Sequence, residues 1–227
     1  MPALGDVKRL CGRGHARLSV VECSSIVIGM VRKIRCAGRP VTAVILAGGR
    51  GLRMKGDKAR LPVPGGTLLS RKVDQLRPHF DEILVSLSAG GRLDTAGVRS
   101  VEDEELGAGP LAGIMAGLNA ARNDVCIVVA CDIPDIDIML LRRLVKAGAA
   151  AEIVVPVTKA GKCEPLFAVY SKPVVPKIKA LLGTGTRKII PLFDRCRTVF
   201  VAMGDEGWLR NLNTRRDYHD YLRQFRQ

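Results

Sequence analysis

A short apolar segment that runs directly into a glycine-rich loop constrains this chain more than any other feature. Residues 41–46 read V-T-A-V-I-L, and residues 47–58 read A-G-G-R-G-L-R-M-K-G-D-K. Glycine has no Cβ, so the backbone N–H groups of such a loop can approach a phosphate closely. The loop also carries four basic side chains, Arg50, Arg53, Lys55 and Lys58. This combination predicts a strand followed by a loop that binds a nucleoside triphosphate.

Two common phosphate-binding loops do not fit the spacing. Gly51 and Gly56 give G-x-x-x-x-G, but Asp57 stands where a P-loop requires lysine. Gly49 begins a dinucleotide-binding pattern, but Met54 occupies the place of its third glycine. A plain flexible turn is the remaining alternative, although a turn does not require three glycines and four basic residues.

Beyond residue 41, short apolar segments alternate with amphipathic ones. The predicted strands are 41–46, 83–87, 98–101, 125–131, 153–157 and 166–170, and the predicted helices are 68–77, 110–121, 138–147 and 215–225. Thr67 is placed to cap the first of these helices. Short β-branched runs are typical of strands buried on both faces. The alternation predicts an α/β three-layer sandwich, with a mainly parallel sheet and helices on both faces. Ligands would then bind at the carboxyl ends of the strands.

Composition narrows the class of partner. The net charge of +14 favours anionic ligands. Aromatic residues make up only 4% of the chain and no DNA-binding motif is present, so phosphorylated small molecules are favoured over nucleic acid. No apolar run reaches the ~18 residues of a membrane span, and no membrane partner is expected.

The cysteines predict a cytoplasmic protein with reduced thiols. Their number is seven, which is odd, and no C-x-x-C pair occurs among them. A disulfide framework and a zinc site are therefore both disfavoured.

Several motifs, in order, give the chain a family resemblance. L-A-G-G-x-G-x-R-M at 46–54, followed by G-D-K-A at 56–59, resembles the signature of nucleotidyltransferases that activate small phosphorylated or sugar substrates. The chain is most similar to the molybdenum cofactor guanylyltransferases of the MobA type. Further matches are E-D at 102–103, G-P-L-A-G-I at 109–114, C-D-I-P at 131–134, E-P-L-F-A-V-Y at 164–170 and N-L-N-T at 211–214.

The resemblance implies a fold and a reaction. The fold would be Rossmann-like, as in nucleotide-diphospho-sugar transferases. The reaction would transfer GMP from GTP to the terminal phosphate of molybdopterin with release of pyrophosphate, and Mg²⁺ would be the cofactor. A transient contact with molybdenum-cofactor insertion or acceptor proteins is also implied.

The resemblance also implies a set of site residues. Lys58, Arg53 and Asp132 would be catalytic, and Asp132 would also hold the metal. Asn211 and Asn213 would lie on the acceptor side. The nucleotide would contact Leu46, Ala47, Gly48, Gly49, Lys58, Ser86, Asp103 and Asp132.

Several of these residues could instead have a purely structural role. Asp132 could be a helix cap, although Asp135 and Asp137 are better placed to cap the next helix. Asn213 or Thr214 could likewise cap the last helix. Asp103 belongs to an acidic stretch, E-D-E-E at 102–105, that could be a solvated turn.

The donor and acceptor are left open at this stage. The family commonly has asparagine at the position of Ser86, so selectivity for GTP over CTP is not fixed. Cobinamide phosphate, phospholactate or a sugar phosphate are alternative acceptors. A non-catalytic basic protein that binds nucleotides or nucleic acid is an alternative of another class.

The domain boundary is predicted at residue 41. Residues 1–40 carry eight basic side chains against two acidic ones and precede the first strand of a fold that needs nothing before it. We assign residues 1–40 to an N-terminal extension and residues 41–227 to a nucleotidyltransferase domain. Met30 lies eleven residues before Val41, so we expect the working protein to start at Met30 or residues 1–40 to form a disordered arm.

Overall fold

The computed structural model places an eight-stranded sheet at the centre of the molecule. It describes residues 32–48, 58–91, 93–103 and 109–225, together with a two-residue strand at 17–18. In their order across the sheet, the strands are β1 Arg17–Leu18, β12 Thr198–Ala202, β10 Ile153–Val157, β11 Phe167–Ser171, β9 Val125–Ala130, β4 Thr42–Leu46, β7 Glu82–Leu87 and β8 Arg99–Glu102. All neighbouring pairs are parallel except the two that involve β11. The prediction of a mainly parallel sheet is therefore confirmed.

Six of the eight strands, β4, β7, β8, β9, β10 and β11, agree with the predicted strands to within one residue at each end. The other two, β1 and β12, were not predicted. Two small hairpins lie outside the sheet, β2 Arg35–Cys36 with β3 Arg39–Pro40, and β5 Pro62–Val63 with β6 Gly66–Thr67.

Six α-helices surround the sheet in the described residues. They are α1 Leu68–Leu76, α2 Pro110–Ala120, α3 Ile138–Ala147, α4 Val175–Gly183, α5 Ile190–Phe193 and α6 Arg215–Arg223. Thr67 caps α1, as predicted, by accepting a hydrogen bond from the Ser70 N–H. Within the described residues, no helix has both the length and the apolar character needed to cross a bilayer.

Two hydrophobic clusters, one on each face of the sheet, complete the three layers. Side chains alternate along a strand. Ala43 and Ile45 of β4 accordingly join the cluster that includes α1 and α3. Val44 and Leu46 join the cluster that includes α2 and α4. The predicted sandwich with helices on both faces is confirmed.

A close approach fixes α2 against the centre of the sheet. A Cβ added at Gly117 would lie 2.5 Å from Val44 Cγ1, so only glycine allows α2 to pack this closely on β4. The same helix passes Leu46 and Ser86, because a Cβ added at Gly113 would lie 3.3 Å from Leu46 Cδ2 and 3.1 Å from Ser86 Oγ. The N-terminal half of α2 therefore lies beside the carboxyl ends of β4 and β7.

Residues 32–40 pack on the domain. Ile34 and Cys36 are buried in the cluster with α1 and α3, and Lys33 Nζ donates to the Phe80 carbonyl at 2.7 Å. These residues fall inside the predicted N-terminal extension. Where the working protein begins stays a prediction.

The reversed direction of β11 was not predicted. Only nine residues, 158–166, connect it to the adjacent β10. A parallel neighbour needs a crossover of about a dozen residues or more, so this short connection requires antiparallel pairing. The beginning of β11 consequently lies at the edge where the parallel strands end.

Candidate active site

The carboxyl ends of four strands form a continuous floor for the site. Hydrogen bonding continues past the strand ends, from the Ala47 N–H to the Ser86 carbonyl at 2.9 Å and from the Cys131 N–H to the Leu46 carbonyl at 3.0 Å. The Asp103 N–H likewise donates to the Leu87 carbonyl at 2.9 Å. The loops that follow β4, β7, β8 and β9 therefore start from fixed positions.

Lys58 lies at the centre of this edge. Its Nζ is 2.9 Å from Asp132 Oδ2 and 2.7 Å from Asn213 Oδ1. The Lys58 and Asp132 side chains are 21% and 25% exposed, so the pair is accessible from solvent. An ammonium group has three N–H donors, which leaves capacity to bind a phosphate oxygen in addition to these two partners. The structure thus brings together three of the predicted site residues.

Short local structures hold these three side chains in place. Lys58 begins a single 3-10 turn, Lys58–Arg60, and the next residue, Ala59, is buried. The backbone carbonyl of Asp132 accepts a hydrogen bond from the Leu212 N–H at 2.8 Å, which ties the segment 211–213 to the end of β9. Lys58, Asp132 and the acceptor candidates Asn211 and Asn213 are therefore held together by these contacts.

The structure distinguishes site residues from helix caps. Asp137 caps α3 by accepting from the Leu140 N–H, so Asp132 has no capping role. The prediction that Asp135 also caps this helix is wrong, because its carboxylate accepts from Arg71 at 3.1 Å and from the Tyr221 hydroxyl at 3.2 Å.

The cap of α6 is likewise assigned. Thr214 accepts a hydrogen bond from the Asp217 N–H, while the Asp217 carboxylate accepts from the Thr214 N–H. Asn213 precedes this capping box, and its side-chain oxygen is bonded to Lys58 instead. Asn213 is therefore a site residue by position.

Only the first part of the glycine-rich loop is described. A Cβ added at Gly48 would lie 2.7 Å from Ser88 Oγ and 2.8 Å from the Ser88 backbone nitrogen, which explains the glycine. The Ala47 N–H is already bonded to Ser86, so in this structure it does not point at a phosphate. Gly49 and Arg53 lie outside the described residues, and their predicted contacts stay predictions.

Ser86 and Asp103 lie on the other half of the edge from Lys58. Asp103 is buried, and its carboxylate accepts from the Ala89 N–H at 3.0 Å. Ser86 is also buried, with its hydroxyl against Gly113 of α2. Three strand spacings, each about 4.8 Å, separate β8 from β9, so Asp103 and Asp132 lie roughly 14 Å apart.

The motif at 164–170 contains a charged residue whose position the sequence did not reveal. Glu164 is only 7% exposed, and burial raises the pKa of its carboxyl group, with a smaller contribution from the Asp132 charge. Its carboxylate accepts hydrogen bonds from the Leu166 N–H and from the Asn211 side chain, which oppose that shift. The usable signal in the sequence was the short connection between β10 and β11, which reverses β11 and brings Glu164 to the site.

Lys72 is a second charged residue that sequence reasoning missed. It is fully buried in α1, and its ammonium group donates to the Ile133 carbonyl in the loop that carries Asp132. Burial lowers the pKa of Lys72 to about 8, although the nearby Cys131, Asp135 and Asp132 oppose this shift. The signal in the sequence was its spacing, since Lys72 lies on the same helix face as Leu69, Val73 and Leu76.

The fold and the site together define an α/β nucleotidyltransferase. A glycine-rich loop and a Lys–Asp pair lie at the carboxyl edge of a mainly parallel sheet. Comparison with protein families makes this more specific. The family described as "MobA-like NTP transferase domain" matches residues 43–199. Because this match covers more than half of the chain, the chain belongs to the MobA-like NTP transferase family.

Individual relatives agree with this assignment. The chain is 32% identical over 185 residues to the probable molybdenum cofactor guanylyltransferase of Mycobacterium tuberculosis H37Rv, a match that covers 79% of this chain and 92% of that protein. It is 34% identical to the molybdenum cofactor guanylyltransferase of Vibrio cholerae, over 75% of this chain and 86% of that protein.

A solved structure supports the fold. Molybdopterin-guanine dinucleotide biosynthesis protein A from Archaeoglobus fulgidus superposes on this chain with a TM-score of 0.71 at 22% identity. The superposition covers 82% of this chain and 99% of that chain.

Proposed function

We propose that this protein transfers GMP from GTP to the terminal phosphate of molybdopterin, releases pyrophosphate and forms the guanine dinucleotide form of the molybdenum cofactor. Two relatives named as guanylyltransferases, at 32% and 34% identity, support the donor and the acceptor. The observation that carries the proposal is the contact of Lys58 Nζ with both Asp132 and Asn213. This contact joins a residue assigned to the nucleotide with one assigned to the acceptor.

The proposed reaction is an in-line displacement at the α-phosphorus of GTP. An oxygen of the acceptor phosphate forms a new P–O bond. The bond from the α-phosphorus to the bridging oxygen of the β-phosphate breaks, and pyrophosphate leaves with the electron pair. A phosphate monoester is largely ionised near neutral pH, so the reaction needs no general base. Catalysis then consists of alignment and charge neutralisation.

Lys58 supplies positive charge for this step. Its ammonium group is a compact point charge, suited to the oxygens of a triphosphate and of departing pyrophosphate. In the proposal Arg53 and the N–H groups of the loop that begins at Gly48 and Gly49 complete the phosphate site. Asp103 and Ser86, on the other half of the edge, lie on the side assigned to the nucleoside.

Asp132 fits the role of a magnesium ligand. Its side chain is 25% exposed, and Lys58 contacts one of its oxygens. Mg²⁺ is commonly held by one or two carboxylates together with substrate phosphates, so one aspartate suffices. No group of three His, Cys, Asp or Glu side chains in the described part of the chain could hold a metal by itself. The proposal therefore requires phosphate oxygens to complete the coordination, and the bound ion would neutralise charge on the transferred phosphate.

We also place the reaction in the cytoplasm. The odd number of cysteines and the lack of a C-x-x-C pair favour reduced thiols, which fit a reducing compartment.

The test is magnesium-dependent pyrophosphate release from each of the four common ribonucleoside triphosphates, with and without molybdopterin. We expect release with GTP alone among the nucleotides, and only when molybdopterin is present. Release with CTP in place of GTP would overturn the assignment of the donor. Tight GTP binding without release in the presence of molybdopterin would overturn the assignment of the acceptor.

A further inference from the structure

Glu164 is a buried carboxylate that the phosphate chemistry does not use. It lies just before β11 and is 7% exposed, close enough to Asp132 for that charge to act on it. Its hydrogen-bond partners, the Leu166 N–H and the Asn211 side chain, are both neutral, and the positive charge of Lys162 also acts on it. A buried carboxylate is costly unless its acceptor capacity is filled. Glu164 thus has a reason to bind further donors.

Asn211 adds a second acceptor beside Glu164. Its Oδ1 is buried and has no hydrogen-bond partner within the described residues. The segment cannot easily turn away, because the next residue, Leu212, donates its N–H to the Asp132 carbonyl at 2.8 Å. Buried polar atoms are nearly always satisfied, by protein, water or ligand. The pair therefore presents acceptors that a ligand with N–H groups would satisfy.

The position of this pair separates it from the side assigned to the nucleoside. Glu164 is at the start of β11, whereas Asp103 is at the end of β8, and β9, β4 and β7 lie between these two strands. Four strand spacings of about 4.8 Å put roughly 19 Å between β11, which Glu164 precedes, and β8, which Asp103 follows. Lys58 and Asp132 lie between these two strands. Lys58 ends the loop after β4, and Asp132 follows β9. A donor nucleotide and an acceptor that meet at Lys58 would extend in opposite directions along the edge.

We propose that Glu164 and Asn211 recognise the N–H groups of the pterin ring of the acceptor. This inference rests on the proposed function and assigns Glu164 as a residue that determines acceptor specificity. The amino-pyrimidinone edge of a pterin presents neighbouring N–H donors, which complement a carboxylate and an amide oxygen. The guanine base presents the same kind of edge, so the separation of Glu164 from Asp103 lets each carboxylate read one of two similar rings.

The test measures binding of each substrate alone in the full chain. Molybdopterin affinity is followed by quenching of pterin fluorescence without nucleotide, and GTP affinity by a fluorescent GTP analogue without molybdopterin. The variants are Glu164→Gln, which replaces one acceptor oxygen by a donor, and Asn211→Leu, which removes the unpaired oxygen at similar size. Glu206→Gln is the matched control, because the Glu206 carboxylate accepts a hydrogen bond from the Lys159 N–H at an exposed position.

We expect both variants to raise the Kd for molybdopterin about tenfold or more, as for the loss of a charged hydrogen bond. The Kd for GTP should change less than twofold, and the control should change neither value. An unchanged molybdopterin Kd in both variants, or an equal loss of GTP affinity, would overturn the inference.

The same measurements keep this inference distinct from the proposed function. Wild-type protein that binds molybdopterin through Glu164 but releases no pyrophosphate from GTP would refute the reaction and uphold the inference. Wild-type protein that does not bind molybdopterin would refute both.

Discussion

The ammonium group of Lys58 lies 2.9 Å from the Asp132 carboxylate, although 74 residues separate the two positions in the chain. Asn213 joins the same contact from a position 155 residues after Lys58. One cation thus connects the end of the glycine-rich loop, the end of β9 and the segment before α6. Changes at this contact should affect turnover more than folding, because partly exposed ion pairs contribute only about 0–1 kcal/mol to stability.

Lys58→Met and Asp132→Asn are expected to lower pyrophosphate release roughly 100-fold or more, as for the loss of a group that stabilises charge in the transition state. The free energy of unfolding in urea should change by less than about 1 kcal/mol. Lys179→Ala, on the exposed side of α4, is the control and should retain full activity. Turnover close to wild type in either variant would show that the pair is not catalytic.

Gly48→Ala is expected to disturb the start of the glycine-rich loop. The added Cβ would lie 2.8 Å from the backbone nitrogen of Ser88, which cannot rotate away. The variant should lose GTP affinity and about 1–3 kcal/mol of stability through overpacking. Gly183→Ala is the matched control, because its added Cβ meets nothing within 4 Å. Equal GTP affinity in the two variants would contradict the prediction.

Gly117→Ala should push α2 away from β4. The new methyl group would overlap Val44, 2.5 Å from its Cγ1, and lower the free energy of unfolding by about 1–3 kcal/mol. Val44→Ala on its own should also destabilise, by creating space in the core. In the double variant the two changes should offset each other, which a double-mutant cycle in urea measures as a non-additive term. Simple additivity would show that α2 does not rest on Val44.

Lys72 should give stability a dependence on pH. Its pKa is lowered by burial to about 8, from 10.5 for an ordinary lysine, so between these values the unfolded chain binds more protons than the folded one. The free energy of unfolding therefore rises with pH across this window, by up to about 1.4 kcal/mol per pH unit. Below pH 8 the buried ammonium lowers stability by its full amount.

Lys72→Met removes this titration and loses the hydrogen bond to the Ile133 carbonyl. The difference in unfolding free energy, wild type minus variant, should grow from pH 7.5 to pH 9.5. Subtraction cancels the tyrosines and cysteines that titrate in the same range. Lys179→Met, at an exposed position, should show no such trend. If the free energy of unfolding of wild type and Lys72→Met depended on pH in the same way, the buried charge would be refuted.

The sequence predicted the main elements because their signals are local. Apolar runs indicated the strands, and capping residues such as Thr67 and Asp137 marked where α1 and α3 begin. The helix α4 was not predicted. Its Pro176 lies in the first turn, where a proline is tolerated. The direction of β11 was missed because an apolar run alone does not show which way a strand points.

The site was predictable where a motif specified it and not where the fold assembled it. Lys58, Asp132 and Asn213 were selected from separate motifs, and the structure brings them into contact. Their chemical roles stay predictions. Glu164 and Lys72 were not selected. Connection length and helix spacing indicate where these residues lie, but their importance comes from burial next to the loop after β9, and burial of a charged residue depends on packing between distant segments.

Because β11 is reversed, the two halves of this edge of the sheet come from different stretches of the chain. In the proposed function, residues 46–103 supply the nucleotide half of the edge and residues 153–213 supply the acceptor half. Asp132, which lies between these two stretches in the chain, contacts Lys58 of the first stretch. Acceptor preference can therefore change through substitutions confined to the second stretch, while the donor site is inherited intact. Exchange of residues 153–213 between relatives with different acceptors would be the corresponding way to redirect this enzyme.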